Sequence, residues 1–272
     1  MAAVSDSQVK VKPNLWIGLA VFIGYMAIVF VMWTVMDTDY EAVQDTQQSA
    51  LEGIVIPVGV GALFLVIVTS LLGWWGPALR EKTRNVPRWL VIVPIIFTIG
   101  GLMSFAGADF GAIELTHVLT IGAGVLLVGF SEELVSRGLL LTGARGTVGE
   151  VLSWFITCLM FGLLHIINIA FGAPASSTAF QILAAFLAGS TFYITRRVTG
   201  TLVVAMLMHA LWDWGSLVNK AVGGEATVAS VSGLGAAIGQ GAMYLSLILV
   251  LVAFRYNLDG TKKSKKGEAV AA

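Results

Sequence analysis

A few ionisable side chains in this sequence sit inside long apolar runs: Glu132, Glu133 and Arg137 in one run, His165 in the next, and His209 with Asp213 two runs later. A charge at the centre of a membrane helix costs at least about 2.5 to 3.5 kcal/mol on insertion scales, so such groups default to function. In a helix turning about 100° per residue, Glu133 and Arg137 stand at i and i+4, with the acid on the N-terminal side that favours an ion pair. Glu133 is therefore expected to be neutralised by Arg137. Glu132 points about 100° away, with no cation at the favoured spacing. It reads as the free carboxylate, suited to act as a general base. Ser136, four residues on, offers it only a hydroxyl, to which it could hydrogen-bond.

Phe161 lies one turn before His165 on the same face, where its ring can fix the imidazole and exclude water. His209 and Asp213 are i, i+4 neighbours. Two histidines with carboxylates suit proton transfer around an activated water, or coordination of a zinc-like ion by some of Glu132, His165, His209 and Asp213. Plainer readings exist: an ion pair can be a staple, and a single histidine a satisfied helix contact. Acid, histidine and histidine-acid elements on three separate helices favour a shared pocket over both.

The elements that must position these groups are membrane spans. Of the 272 residues, 57% are hydrophobic and 12% charged, against about a quarter charged in a soluble domain. Runs long enough to cross a bilayer extend over Leu15 to Met36, Ile54 to Trp75, Trp89 to Ala108, His117 to Leu141, Val151 to Phe171, Ala179 to Thr195, Thr201 to Val218 and Val228 to Phe254. The fold class is all-α: a polytopic bundle of about eight transmembrane helices forming a single integral membrane domain, residues 1–272. Pro57 and Pro94 fall inside runs and are expected to kink them. Trp16, Trp33, Trp74, Trp75 and Trp89 lie at run ends, as in an aromatic belt, and His117 near Glu114 reads as an interfacial residue. Gly235 and Gly239 form a small-xxx-small pair that predicts close helix packing.

Lysine and arginine occupy every second connection: Lys10 and Lys12, Arg80 to Arg88, Arg137 with Arg145, Arg196 with Arg197, and the tail Lys262 to Lys266. Basic loops tend to stay in the cytoplasm, so both termini are expected there, in a bacterial plasma membrane. The first run is too long for a signal-peptide core. With 16 basic and 16 acidic residues, the net charge of zero points to no nucleic-acid partner. The single Cys158 excludes a disulfide framework or a multi-cysteine metal site. One geometric tension remains. Counted from the cytoplasmic ends at about 1.5 Å per residue, Glu132 and His209 lie about 13 Å deep and His165 about 20 to 24 Å.

The motif residues resemble the CAAX protease and bacteriocin-processing family of intramembrane endopeptidases, also called the Abi family. Its Glu-Glu-x-x-x-Arg matches Glu132, Glu133 and Arg137; its Phe-x-x-x-His matches Phe161 and His165; its His-x-x-x-Asn/Asp matches His209 and Asp213. Order and spacing agree over roughly Gly129 to Asp213, within a family-like core of about 115–220. The resemblance implies a conical or bundled helical core in which Glu132 and His165 activate water, while His209 and Asp213 stabilise the oxyanion and Glu133, Arg137 and Phe161 support them. Members have been regarded as metal-dependent and as metal-free glutamate proteases, so zinc and no cofactor both stay open. Two positions depart from the usual pattern. Ser136 replaces an aromatic, and Asp213 stands where the best-known members have asparagine; an ionised aspartate would repel an oxyanion. Asp213 must then be protonated, orient His209 or bind metal.

The expected function is hydrolysis of a peptide or membrane-protein substrate within the bilayer, in maturation or regulated proteolysis. Two alternatives are a non-proteolytic scaffold or chaperone using the same cavity and a proton-coupled transporter. No inverted repeat between the halves supports the last.

Overall fold

The computed structural model describes residues 9–81, 85–223 and 230–258. Lys82, Arg84 and the basic tail Lys262 to Lys266, which entered the charge argument, lie outside these residues. Among the described residues nine helices follow one another: α1 Leu15–Val35, α2 Gln47–Leu72, the short α3 Trp75–Leu79, α4 Arg88–Ala106, α5 Leu115–Arg145, α6 Glu150–Phe171, α7 Ala175–Thr199, α8 Val203–Ala221 and α9 Val231–Ala253. All except α3 coincide with the expected runs. Seven of them are long and apolar enough to cross a membrane. The eighth, α8, is 19 residues long but carries His209, Asp213, Asn219 and Lys220, which dilute its hydropathy. The chain is thus an all-α polytopic membrane protein.

Helix α4 packs on α8 and α9, α8 on α5, α6 on α7, and α1 on α2 and on the second half of α5. Helices α4 and α9 approach closely. A Cβ on Gly100 would meet Gly239 N at 2.6 Å and Gly235 O at 2.8 Å, so the small-xxx-small pair does serve backbone contact. Asparagine Asn14 caps α1 through its side chain, and Thr46 with Ser49 forms a capping box at α2.

The structure places the two prolines and corrects part of the belt expectation. Pro94 falls in the first turn of regular α-helix in α4, after a 3-10 turn over Arg88–Val91, and Pro57 follows a π-helical segment, Leu51–Val55. The π turns precede Pro57, and Pro94 sits at a helix start where an amide hydrogen has no partner to lose. Trp16 and Trp89 are exposed at run ends as a belt requires, but Trp33 and Trp74 are buried. Their indole N–H groups donate to Gly53 O and Val11 O, each at 2.7 Å, which makes them internal struts.

Candidate active site

Helix α5 is regular to Glu133 and then opens into π turns over Leu134–Leu140 before closing at Arg145. Such segments admit an extra residue and recur at functional sites. Here the carbonyl of Arg137, inside the segment, accepts a hydrogen bond from the Arg196 guanidinium on α7. Glu133 and Arg137 form the expected pair, fully buried: Arg137 Nε donates to Glu133 Oε2 at 2.9 Å, and Nη2 donates to Oε1. The guanidinium carbon lies 3.8 Å over the Phe161 ring and 5.1 Å from that of Phe192. Phe161 is therefore first the floor of Arg137. Its ring meets His165 edge-on at 6.0 Å between centroids and His209 at 5.6 Å.

Glu133 has a second duty that the spacing did not reveal. Its Oε1 lies 3.2 Å from His209 Nδ1, so one carboxylate joins Arg137 on α5 to the imidazole on α8. On the other edge of that ring, His209 Nε2 stands 3.2 Å from Asp213 Oδ2 and 3.9 Å from Glu132 Oε2. Carboxylate oxygens thus face both ring nitrogens, and His209 is set to donate from each. Phe192 stacks on it at 5.1 Å and 22°. Of the three roles left open for Asp213, its contact is with His209, the geometry of an orienting group.

His165 stands where α6 passes from α-helix to a 3-10 stretch, Leu164–Phe171. Its Nδ1 lies 3.3 Å from Gly162 O, a contact in which the N–H donates to the carbonyl and leaves Nε2 with the lone pair. Ser136 does not bond Glu132. Its Oγ is buried with no hydrogen-bond partner among the described residues, as is that of Ser131.

Glu132, His165, His209 and Asp213 all line one cavity of about 190 Å³. The depth tension dissolves, because α5 continues to Arg145 rather than ending at Leu141. Glu132 is then thirteen residues, about 20 Å, from its basic end, and His165 fifteen residues, about 22 Å, from Glu150. Helix α8 begins already inside the protein, with Leu202 fully buried and its N–H bonded to Leu79 O at 2.9 Å.

The first helices, which carry no motif, also furnish the cavity. Tyr25 and Trp33 of α1 and Tyr40 after it are part of the wall. The Tyr25 phenol stands near Glu132 on the cavity wall, and its ring fills the space a Cβ on Gly61 would occupy, at 2.6 Å. Tyr40 accepts from Gln181 Nε2 at 2.7 Å, and burial pushes its phenol up to about 12, so its hydroxyl proton is retained. The one sequence signal for Trp33 and Tyr40 was aromaticity at the end of an apolar run, which a belt explains as well, and Tyr25, in the middle of the run, gave none.

A metal fits poorly. Among the described residues no group of three or more His, Cys, Asp or Glu is arranged to hold an ion. Both nitrogens of His209 face carboxylates and His165 Nδ1 faces a carbonyl, so Glu132, His165, His209 and Asp213 do not converge as ligands. No catalytic step is routed through a metal below. His117 lies apart from the cavity.

A family model described as Type II CAAX prenyl endopeptidase Rce1-like matches residues 114–215. The matched segment contains every motif residue from Glu132 to Asp213, so the resemblance to this family of proteases is borne out over that part of the chain. A comparison with curated proteins found no match.

Proposed function

We propose that the chain is an intramembrane endopeptidase in which Glu132 and His165 activate a water that attacks a peptide carbonyl. The observation that carries this reading is the convergence of Glu132, His165 and His209 from three helices on one cavity within the bundle. Glu132 takes a proton from the water as its oxygen bonds to the carbonyl carbon, while His165 Nε2 accepts the water's second hydrogen bond. The carbonyl oxygen becomes an oxyanion beside His209, whose Nε2–H lies at the Glu132 and Asp213 edge of the ring. Glu132 then returns its proton to the leaving nitrogen as the C–N bond breaks. Asp213, Glu133 and Phe192 hold the His209 ring in place, and Arg137 fixes Glu133 through its two hydrogen bonds. Substrates are peptides or membrane-protein segments in the bilayer; the prenylated class in the matched family's name is one candidate among them.

The test compares wild type with Glu132→Gln and His165→Ala at matched membrane abundance, by mass spectrometry of membrane-protein and secreted-peptide termini. Termini that need both residues, with turnover lowered on the order of 10³-fold in each variant, are the expected result. Unchanged termini, with the wild type's cellular effect retained by both variants, would favour a binding scaffold instead.

A further inference from the structure

Among the described residues, the cavity lining runs out to the helix ends at one end of the bundle. Trp33 in the last turn of α1, Tyr40 and Gln44 in the connection after it, Asn168 near the end of α6, Gln181 near the start of α7 and Lys220 in the last turn of α8 all line it. These positions share the end where α1, α6 and α8 finish and α7 begins. The opposite end is sealed. There Glu81 accepts from Arg145 Nη1 at 2.9 Å and Arg196 Nε at 2.7 Å, and Glu150 accepts from Arg145 Nη2 and the Tyr193 hydroxyl, each at 2.6 Å. Arg196 also donates to Pro77 O and Ala78 O, pinning α3 across the bundle, and Trp74 and Leu90 there have no exposed surface.

The two ends differ as sharply in lysine and arginine. The sealed end carries Lys10, Lys12, Arg80, Arg88, Arg145, Arg196, Arg197 and Arg255, whereas among the described residues Lys220 is the one such residue at the mouth. The connections there bear Asp37, Asp39, Glu41 and Asp45. Short loops rich in lysine and arginine stay in the cytoplasm, and the rule counts these residues whether or not they are paired.

We infer that the cavity opens away from the cytoplasm, so that its substrate is a polypeptide segment lying on or delivered to the non-cytoplasmic face, downstream of a translocation step. The substrate half of this statement rests on the peptidase reading; the sidedness of the mouth does not. A chain tail that never leaves the cytoplasm meets the sealed end, where Glu81, Arg145 and Arg196 bar the way.

Two measurements separate these halves. In a Cys158→Ala background, Glu41→Cys and Asp45→Cys mark the mouth and Lys12→Cys marks the sealed end; all three positions are exposed. A membrane-impermeant maleimide added to intact cells should label the mouth cysteines as fully as in permeabilised cells and leave Lys12→Cys near background. The reverse pattern, or equal labelling at both ends, overturns the inference. Glu132-dependent termini should map to segments outside the cytoplasm. Termini in cytoplasmic segments would overturn the substrate class while leaving the peptidase intact. A complete lack of Glu132-dependent termini would remove the peptidase, with the labelling still deciding the sidedness.

Discussion

Buried charge is handled in opposite ways at the two ends of this bundle. At the sealed end the buried carboxylates are matched: Glu81 and Glu150 share Arg145, and Arg196 divides its donors between Glu81 and backbone carbonyls. Around the cavity, Glu132 approaches its nearest cation-capable neighbour no closer than 3.9 Å, and Ser131, Ser136 and Arg137 Nη1 have no hydrogen-bond partner among the described residues. Saturation makes the first region rigid and inert. Incomplete satisfaction makes the second a place where an incoming water or carbonyl finds groups ready to bind it.

The sharpest way to break this contrast is to strand a charge in the cavity. Arg137→Ala leaves Glu133 buried with only His209, and such a loss costs about 3 to 5 kcal/mol. Membrane abundance and thermal stability in detergent should fall together with activity, whereas Glu132→Gln should spare both stability readouts. Arg137→Lys should rescue only in part, because one ammonium cannot replace the two-pronged guanidinium.

The sealed end should instead respond to pH. Burial opposes the charge on Glu81, but Arg196 and Arg145 outweigh it and hold the carboxyl down from its usual 4.5 to about 2. A carboxyl depressed in this way contributes stability that is complete above pH 4.5 and is lost as pH falls toward 2. Melting temperature followed from pH 6 to pH 3 should drop for wild type, reflecting a stability loss on the order of a few kcal/mol. In Glu81→Gln the decline should be shallower and start from a lower value. An identical slope in both proteins would remove Glu81 from the account.

Smaller effects sharpen the picture. Tyr25→Phe keeps the ring that fills the space over Gly61 but removes the hydroxyl near Glu132. Turnover should fall about tenfold, equivalent to about 1.4 kcal/mol, with KM and melting temperature little changed. A KM effect alone would move Tyr25 from the chemistry to binding. Smallest of all is a paired glycine test on α9. Gly241→Ala meets nothing within 4 Å and should stabilise by up to about 1 kcal/mol through helix propensity, while Gly239→Ala collides with the Trp212 ring and should destabilise. Melting curves of the two variants should move in opposite directions.

Much of this was legible in the sequence. Because a bilayer imposes a length that composition must meet, apolar runs gave the spans to within a few residues, except at the start of α2, which begins at Gln47 rather than Ile54. The i, i+4 rule gave the Glu133–Arg137 pair, and intramembrane charge gave the helices that meet at the cavity. What stayed hidden depends on contacts between helices. The reach of Glu133 to His209 crosses from α5 to α8, and the aromatic neighbours Phe192 and Tyr25 belong to helices without a motif. Ser136 was misplaced because a regular helix was assumed through a stretch of π turns. The tryptophans at run ends could not be sorted into lipid-facing and internal ones, since Trp33 and Trp16 look alike until the chain folds.

The π segment Leu134–Leu140 also makes α5 sensitive to length in a way that composition does not register. One residue added to or taken from a helix rotates everything beyond it by about 100°. Deleting a single residue there would let α5 relax to uniform pitch, and the half that runs to Arg145 would fall out of phase with the half that holds Glu132. The segment acts as a phase key between two rods: one indexed to α8 by Glu133 and His209, the other to α7 through Arg196 and the Arg137 carbonyl. Drift by insertion or deletion is closed to it, even where almost any apolar side chain would be accepted.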